Sequence, residues 1–164
     1  MHIEIRHEGF SAWEILAHYE AQRAEEMHGN FGATAVFVGT MRDFNEGDDV
    51  SVMTLEHYPG MTEGYLARIC EEAELRWQIQ DSLIIHRVGD VRPADAIVLV
   101  AAWSAHRADA FDASRYLMEE LKSRAPFWKK EQLNHGDERW VEKNTPDPGA
   151  ERLGKEMKNK KKGM

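Results

Sequence analysis

The chain has 164 residues, 42% of them hydrophobic, which suits one domain with a real core and offers no apolar run near the ~18 residues needed to cross a bilayer. A net charge of −8, with no basic stripe carrying interleaved aromatics, argues against a nucleic-acid-binding surface. The single Cys70 excludes an intramolecular disulfide, and MHIEIRHEGF lacks the apolar core and cleavage site of a secretory leader, so a soluble cytoplasmic protein is expected.

In chain order, His2 to Arg6 alternates like a strand, and Ser11 with Glu14 forms a capping box that opens a helix to about Glu26. His28, Gly29 and Asn30 break the chain. Ala33 to Thr40 reads as a strand, Arg42 to Asp49 as a polar loop, and Val50 to His57 as the returning strand. Pro59 and Gly60 turn into a helix from about Thr62 to Trp77, followed by strands at Leu83 to Val88 and Ala96 to Ala102.

The next helix carries Ala110, Phe111, Ser114, Leu117, Met118 and Leu121 at three- and four-residue steps, which predicts one buried stripe. Ser104 is placed to cap its first turn, leaving His106 and Arg107 among unpaired backbone N–H groups, where anions are favoured. Pro126 stops it near Arg124 or Ala125, because the residue before a proline is pushed out of the helical region. The chain then leaves extended, with Phe127, Lys129 and Glu131 on one face and Trp128, Lys130 and Gln132 on the other. A last extended stretch runs from Arg139 to Lys143.

These elements alternate without a dinucleotide glycine fingerprint, which predicts a mixed α+β sheet. One domain over residues 1–145 is expected, with a lysine-rich, disordered tail over residues 146–164. His86, Arg87 and Asp95 lack metal-ligand spacing, and no Cys/His cluster occurs, so neither a metal nor another cofactor is implied. The five tryptophans read as core or interface anchors.

The cationic residues are unevenly placed. His106, Arg107, Lys122, Arg124, Lys129 and Lys130 gather around one helix and its exit in an acidic chain. Helix-end electrostatics can account for Lys122, Arg124 and Lys129 singly but covers only part of the combined pattern, which reads as a seat for an anion.

The strings GTMRDFN (Gly39 to Asn45), LEHYPGMTE (Leu55 to Glu63), HRVGDVRPAD (His86 to Asp95), SAHRADAF (Ser104 to Phe111), LKSRAPFWKKE (Leu121 to Glu131) and RWVE (Arg139 to Glu142) carry a resemblance. In that order, from about Gly32 to Lys143, the chain resembles the large, catalytic subunit of molybdopterin synthase. It departs at Thr40, where many members carry a basic residue, and in the longer QLNHGDE segment.

The resemblance implies an α/β-hammerhead core of mixed sheet and helices with a small extra antiparallel β subdomain. It implies a sulfurtransferase that converts cyclic pyranopterin monophosphate (precursor Z) to molybdopterin. Sulfur would come from the C-terminal glycine thiocarboxylate of a small ubiquitin-like sulfur-carrier subunit, in a heterotetramer built on a homodimer of this chain. Carried over by residue, Lys122 and Lys129 are the catalytic lysines. Thr40, Met41, Arg42, His106, Arg107, Lys130 and Glu131 become the substrate contacts. Cys70, set among Ile69, Glu71 and Glu72, is expected to carry no sulfur.

Overall fold

The computed structural model describes residues 1–27, 29–45 and 48–141. The expected disordered tail and the end of the last extended stretch fall outside these residues. The first sheet takes β1 (His2–Arg6), β5 (Asp81–Arg87), β7 (Ala96–Ser104) and β2 (Ala33–Thr40) in the order β1-β5-β7-β2. β1 runs parallel to β5, and the other two pairings are antiparallel.

Both faces of this sheet are covered, which is why residues 83–85 and 96–103 are continuous apolar runs instead of alternating ones. Ile84, Val98, Val100 and Ala102 point at α3 (Met61–Trp77) and α4 (Arg107–Ser123), meeting Leu66, Ile69, Cys70, Leu117 and Leu121. Their neighbours Leu83, Ile85, Leu99, Ala101 and Trp103 point the other way, at Ala12 and Tyr19 of α1 (Ala12–Gln22). The period of two along each strand thus feeds two separate cores.

The second sheet is antiparallel. β4 (Asp48–His57) lies between β8 (Phe127–Leu133) on one side and the short β3 (Phe44–Asn45) and β6 (Gly89–Val91) on the other, with β9 (Glu138–Val141) outside β8. Its own core contains Met41, Val50, Met53, Leu55, Val91 and Leu133. The fold is therefore the expected mixed α+β arrangement with an additional antiparallel sheet.

Several local expectations are corrected. The first helix ends at Gln22, and Ala24–Met27 forms a separate short α2, because Arg23 leaves helical geometry at φ −103°, ψ 7°. β3 and β6 were not expected, and both are stretches of two or three residues whose pairing with β4 is set by tertiary neighbours. Phe111 is not part of the α4 stripe: it is 66% exposed, while Ala110, Ala113, Ser114, Leu117 and Leu121 form the buried face. Ser104 is not the α4 cap either. It ends β7, fully buried, and His106 takes the cap position, its N–H donating to the Ser104 hydroxyl at 3.3 Å.

Candidate functional site

The site forms where the two sheets meet. Lys122 stands in the last turn of α4, an exposed amine on a helix whose other face is anchored in the first core. The helix ends at Ser123, capped by Arg124, whose N–H still reaches the Glu120 carbonyl at 3.0 Å, and Pro126 sends the chain into β8. Three residues join α4 to β8, so Lys129 enters only seven positions after Lys122.

Lys129 is half-buried, and its amine is held below the ordinary lysine range. Burial is the main cause, the Lys122 charge is next, and Arg42 pushes the same way, while Glu131 opposes them. Four charged side chains from α4, β8 and the segment after β2 therefore share one field. Arg42 itself is exposed just beyond β2, whose pairing with β7 shifts register between Gly39 and Thr40 and closes on Thr40 opposite Ala96. A side chain at Gly39 would meet Val98 Cγ1 at 2.8 Å, so glycine allows the close approach from which Arg42 departs.

Glu131 is buried, with 4% of its surface exposed, and faces Arg139 directly across the β8–β9 ladder. The Arg139 Nε donates to Glu131 Oε2 at 2.8 Å. This is no solvent-exposed surface pair. The carboxylate sits on the Lys129 face of β8, as strand alternation predicts, and its negative charge partly offsets the lysine pair.

Two substrate contacts expected from the sequence are placed elsewhere. Met41 is 5% exposed and belongs to the core of the second sheet. Its N–H donates to the Asp95 carbonyl and its carbonyl accepts from Ala94 N–H, both at 2.9 Å, which turns the side chain inward. Lys130 lies on the opposite face of β8, paired with Glu138 and 6.0 Å from the centre of the Trp140 ring. Strand alternation separates it from Lys129. Thr40, exposed at the end of β2, stays within two residues of Arg42.

His106 and Arg107 are exposed at the opposite end of α4. Fifteen residues separate Arg107 from Lys122 in one continuous helix, a span of about 22 Å. Within a single chain they do not join the lysine pocket.

Two residues of this region were missed by sequence reasoning. Arg139 was visible only as part of the string RWVE, and its facing of Glu131 depends on the β8–β9 register. His86 looked like an isolated histidine, yet its ring is stacked on Phe127 with centroids 3.9 Å apart and planes 17° from parallel. Nothing local in the sequence signals that contact. Among the described residues, no group of three or more His, Cys, Asp or Glu is arranged to hold a metal. Cys70 is fully buried in the first core, and burial pushes its thiol up to about 11. No helix among the described residues is long and apolar enough to cross a membrane.

Chemically, the lysine pocket can seat an anion and exchange a proton through a depressed amine. Comparison with known proteins gives this geometry a family. The MoaE protein family model matches residues 6–124, a span containing Arg42 and Lys122. The molybdopterin synthase catalytic subunit of Ralstonia nicotianae is 56% identical over 119 residues, covering 73% of this chain and 67% of that protein. The molybdopterin biosynthesis MoaE protein from Burkholderia ambifaria MC40-6 aligns with a TM-score of 0.72 at 45% identity, covering 93% of this chain and 97% of that one. A protein–protein complex of subunits 1 and 2 of molybdopterin-converting factor from Helicobacter pylori 26695 contains a chain sharing the fold, with a TM-score of 0.71 at 21% identity, covering 92% and 98%. The chain belongs to the MoaE family, that of the molybdopterin synthase catalytic subunits.

Proposed function

We propose that this chain transfers sulfur from the C-terminal thiocarboxylate of a small ubiquitin-like subunit to precursor Z, forming the dithiolene of molybdopterin in the cytoplasm. The observation that carries this reading is the convergence of Lys122, Lys129 and Arg42 in one field, with the Lys129 amine held below its usual range. Such a pocket suits both anions of the reaction, a cyclic phosphate and a peptide terminus.

Arg42 offers a planar fork to phosphate oxygens, and exposed Lys122 offers a point charge to the incoming thiocarboxylate. Lys129, more easily deprotonated than an exposed lysine, handles protons as the cyclic phosphate opens. Glu131, fixed by Arg139, holds the lysine in place and limits the positive charge around it. His106 and Arg107 reach this pocket only from a second copy of the chain, because α4 holds them a helix length away in their own. A homodimer with one small subunit on each copy follows, and the two-subunit complex known from Helicobacter pylori supports such a partner.

The test is reconstitution. Purified chain, thiocarboxylated small subunit and precursor Z are combined, and dithiolene product is measured by its stable fluorescent derivative. Product formation supports the assignment. Binding of the small subunit's tail without turnover would make the chain a docking scaffold instead.

A further inference from the structure

We propose that His86 is a positioning residue for Lys129: by stacking on Phe127 it fastens the start of β8 to the first sheet and so sets the approach of Lys129 to Lys122. The inference deepens the reading above, since it concerns the same pocket.

The two lysines belong to different bodies. Lys122 rides on α4, which is anchored to the first sheet through Ala113, Leu117 and Leu121. Lys129 rides on β8, whose ladder partners are β4 and β9 of the second sheet. Their spacing is therefore set by whatever joins the sheets at this corner, not by either sheet alone. Phe127 is the first residue of β8 and packs against the first core. His86 comes from β5 of the first sheet and lies flat against that ring.

The imidazole is well suited to be a fixed plate. It is 4% exposed, and its Nδ1 donates to the Arg87 carbonyl at 2.8 Å, since a carbonyl only accepts. That bond fixes both the tautomer and the ring plane. Burial, opposed by the Arg87 hydrogen bond and reinforced by the Lys129 and His57 charges, holds the ring neutral by lowering its pKa to about 4. A cationic ring here would add another positive charge to a pocket that already contains Lys122, Lys129 and Arg42. Phe127 also lies opposite His57 in the β4–β8 ladder, so the row Phe127, Lys129, Glu131 takes its orientation from the stacked end.

The groups acting on Lys129 come from every element around it. Lys122 on α4, Glu131 on its own strand and Arg42 after β2 act on Lys129 directly, Arg139 meets the Glu131 carboxylate, and Lys129 and His57 on β4 in turn act on His86 of β5. None of these charges is altered by replacing a neutral His86. A change in Lys129 titration would thus report a change in its burial or in its approach to Lys122, the two largest causes of its depressed value.

The experiment measures the Lys129 pKa directly by NMR on 13C-lysine-labelled protein, with the signal assigned through Lys129→Arg. His86→Ala, which removes the stacked ring, is expected to move the Lys129 pKa upward toward the ordinary lysine range. His86→Phe, which keeps a ring of similar shape, is expected to restore most of the depressed value. Phe127→Leu serves as a second route to the same upward shift should His86→Ala fold poorly. An unchanged Lys129 titration in folded His86→Ala or Phe127→Leu would overturn the proposal, as would failure of His86→Phe to restore it. No turnover is needed for this readout, so its result is independent of whether the chain transfers sulfur. Turnover assayed in parallel would add a fall in kcat with KM little changed if the functional reading holds.

Discussion

Glu131 and Arg139 face each other across β8 and β9, the guanidinium Nε 2.8 Å from a carboxylate that is almost wholly buried. The pair links the strand that carries Lys129 to the outermost strand of the second sheet. Because the carboxylate is out of solvent, its stabilisation depends on the groups that meet it.

Arg139→Ala is therefore expected to lower the stability of the folded chain by about 2–4 kcal/mol. Glu131→Gln, which keeps a hydrogen-bonding oxygen and removes the buried charge, is expected to cost less. Urea denaturation of the two variants checks the order. Equal losses would mean that the charge of the pair contributes little.

Lys122→Ala and Lys129→Ala are expected to lower dithiolene formation by roughly a hundredfold or more, the scale of losing a positioned proton-transfer or charge-stabilising group. Circular dichroism and binding of the small subunit should remain as in the unmodified chain, since neither lysine belongs to a core. Wild-type turnover in both variants would remove the catalytic assignment.

The buried His86 predicts acid sensitivity with a definite sign. Its folded-state pKa of about 4 lies below the ordinary histidine value of 6.5, so between these limits the unfolded chain binds more protons. The penalty is absent above about pH 6.5, grows as the pH falls, and is complete below about pH 4, where it amounts to about 3 kcal/mol. His86→Phe should lose less stability than the unmodified chain between pH 7 and pH 4.5. Parallel pH dependences in denaturant titrations of the two proteins would contradict this.

The distance along α4 predicts complementation between copies. Arg107→Ala and Lys122→Ala homodimers are each expected to be inactive. Co-refolded chains should regain roughly a quarter of wild-type activity, because half of the dimers are mixed and each mixed dimer contains one intact composite site. Absence of any recovery in a verified mixed dimer would contradict a site built from Lys122 of one copy and Arg107 of the other.

Local geometry accounts for what could be read without the fold. The alternation of β8 put Lys129 and Glu131 on one face because a strand repeats every two residues, and Pro126 marked the end of α4 because it restricts the residue before it. The apolar stretches at Leu83 to Val88 and Ala96 to Ala102 marked two strands, β5 and β7. The strings around Arg42, Lys122 and Lys129 pointed to the family that the comparisons found.

Other features depended on partners distant in the chain. Met41 looked like a pocket residue beside Arg42 until the turn at Ala94 and Asp95 claimed its backbone and turned its side chain inward. Phe111 fitted the helical period, yet the packing of α4 left it exposed. Lys130 shares the charge of Lys129, but its pairing with Glu138 required β9 to lie beside β8. His86 and Phe127 are 41 positions apart in sequence and 3.9 Å apart in space. The sequence by itself determined the longer elements, the two faces of β8 and the cationic segment, since backbone dihedrals and side-chain periodicity are local. Only the tertiary structure decided which faces meet, because burial, charge coupling and ring stacking are properties of pairs that the chain brings together across long loops.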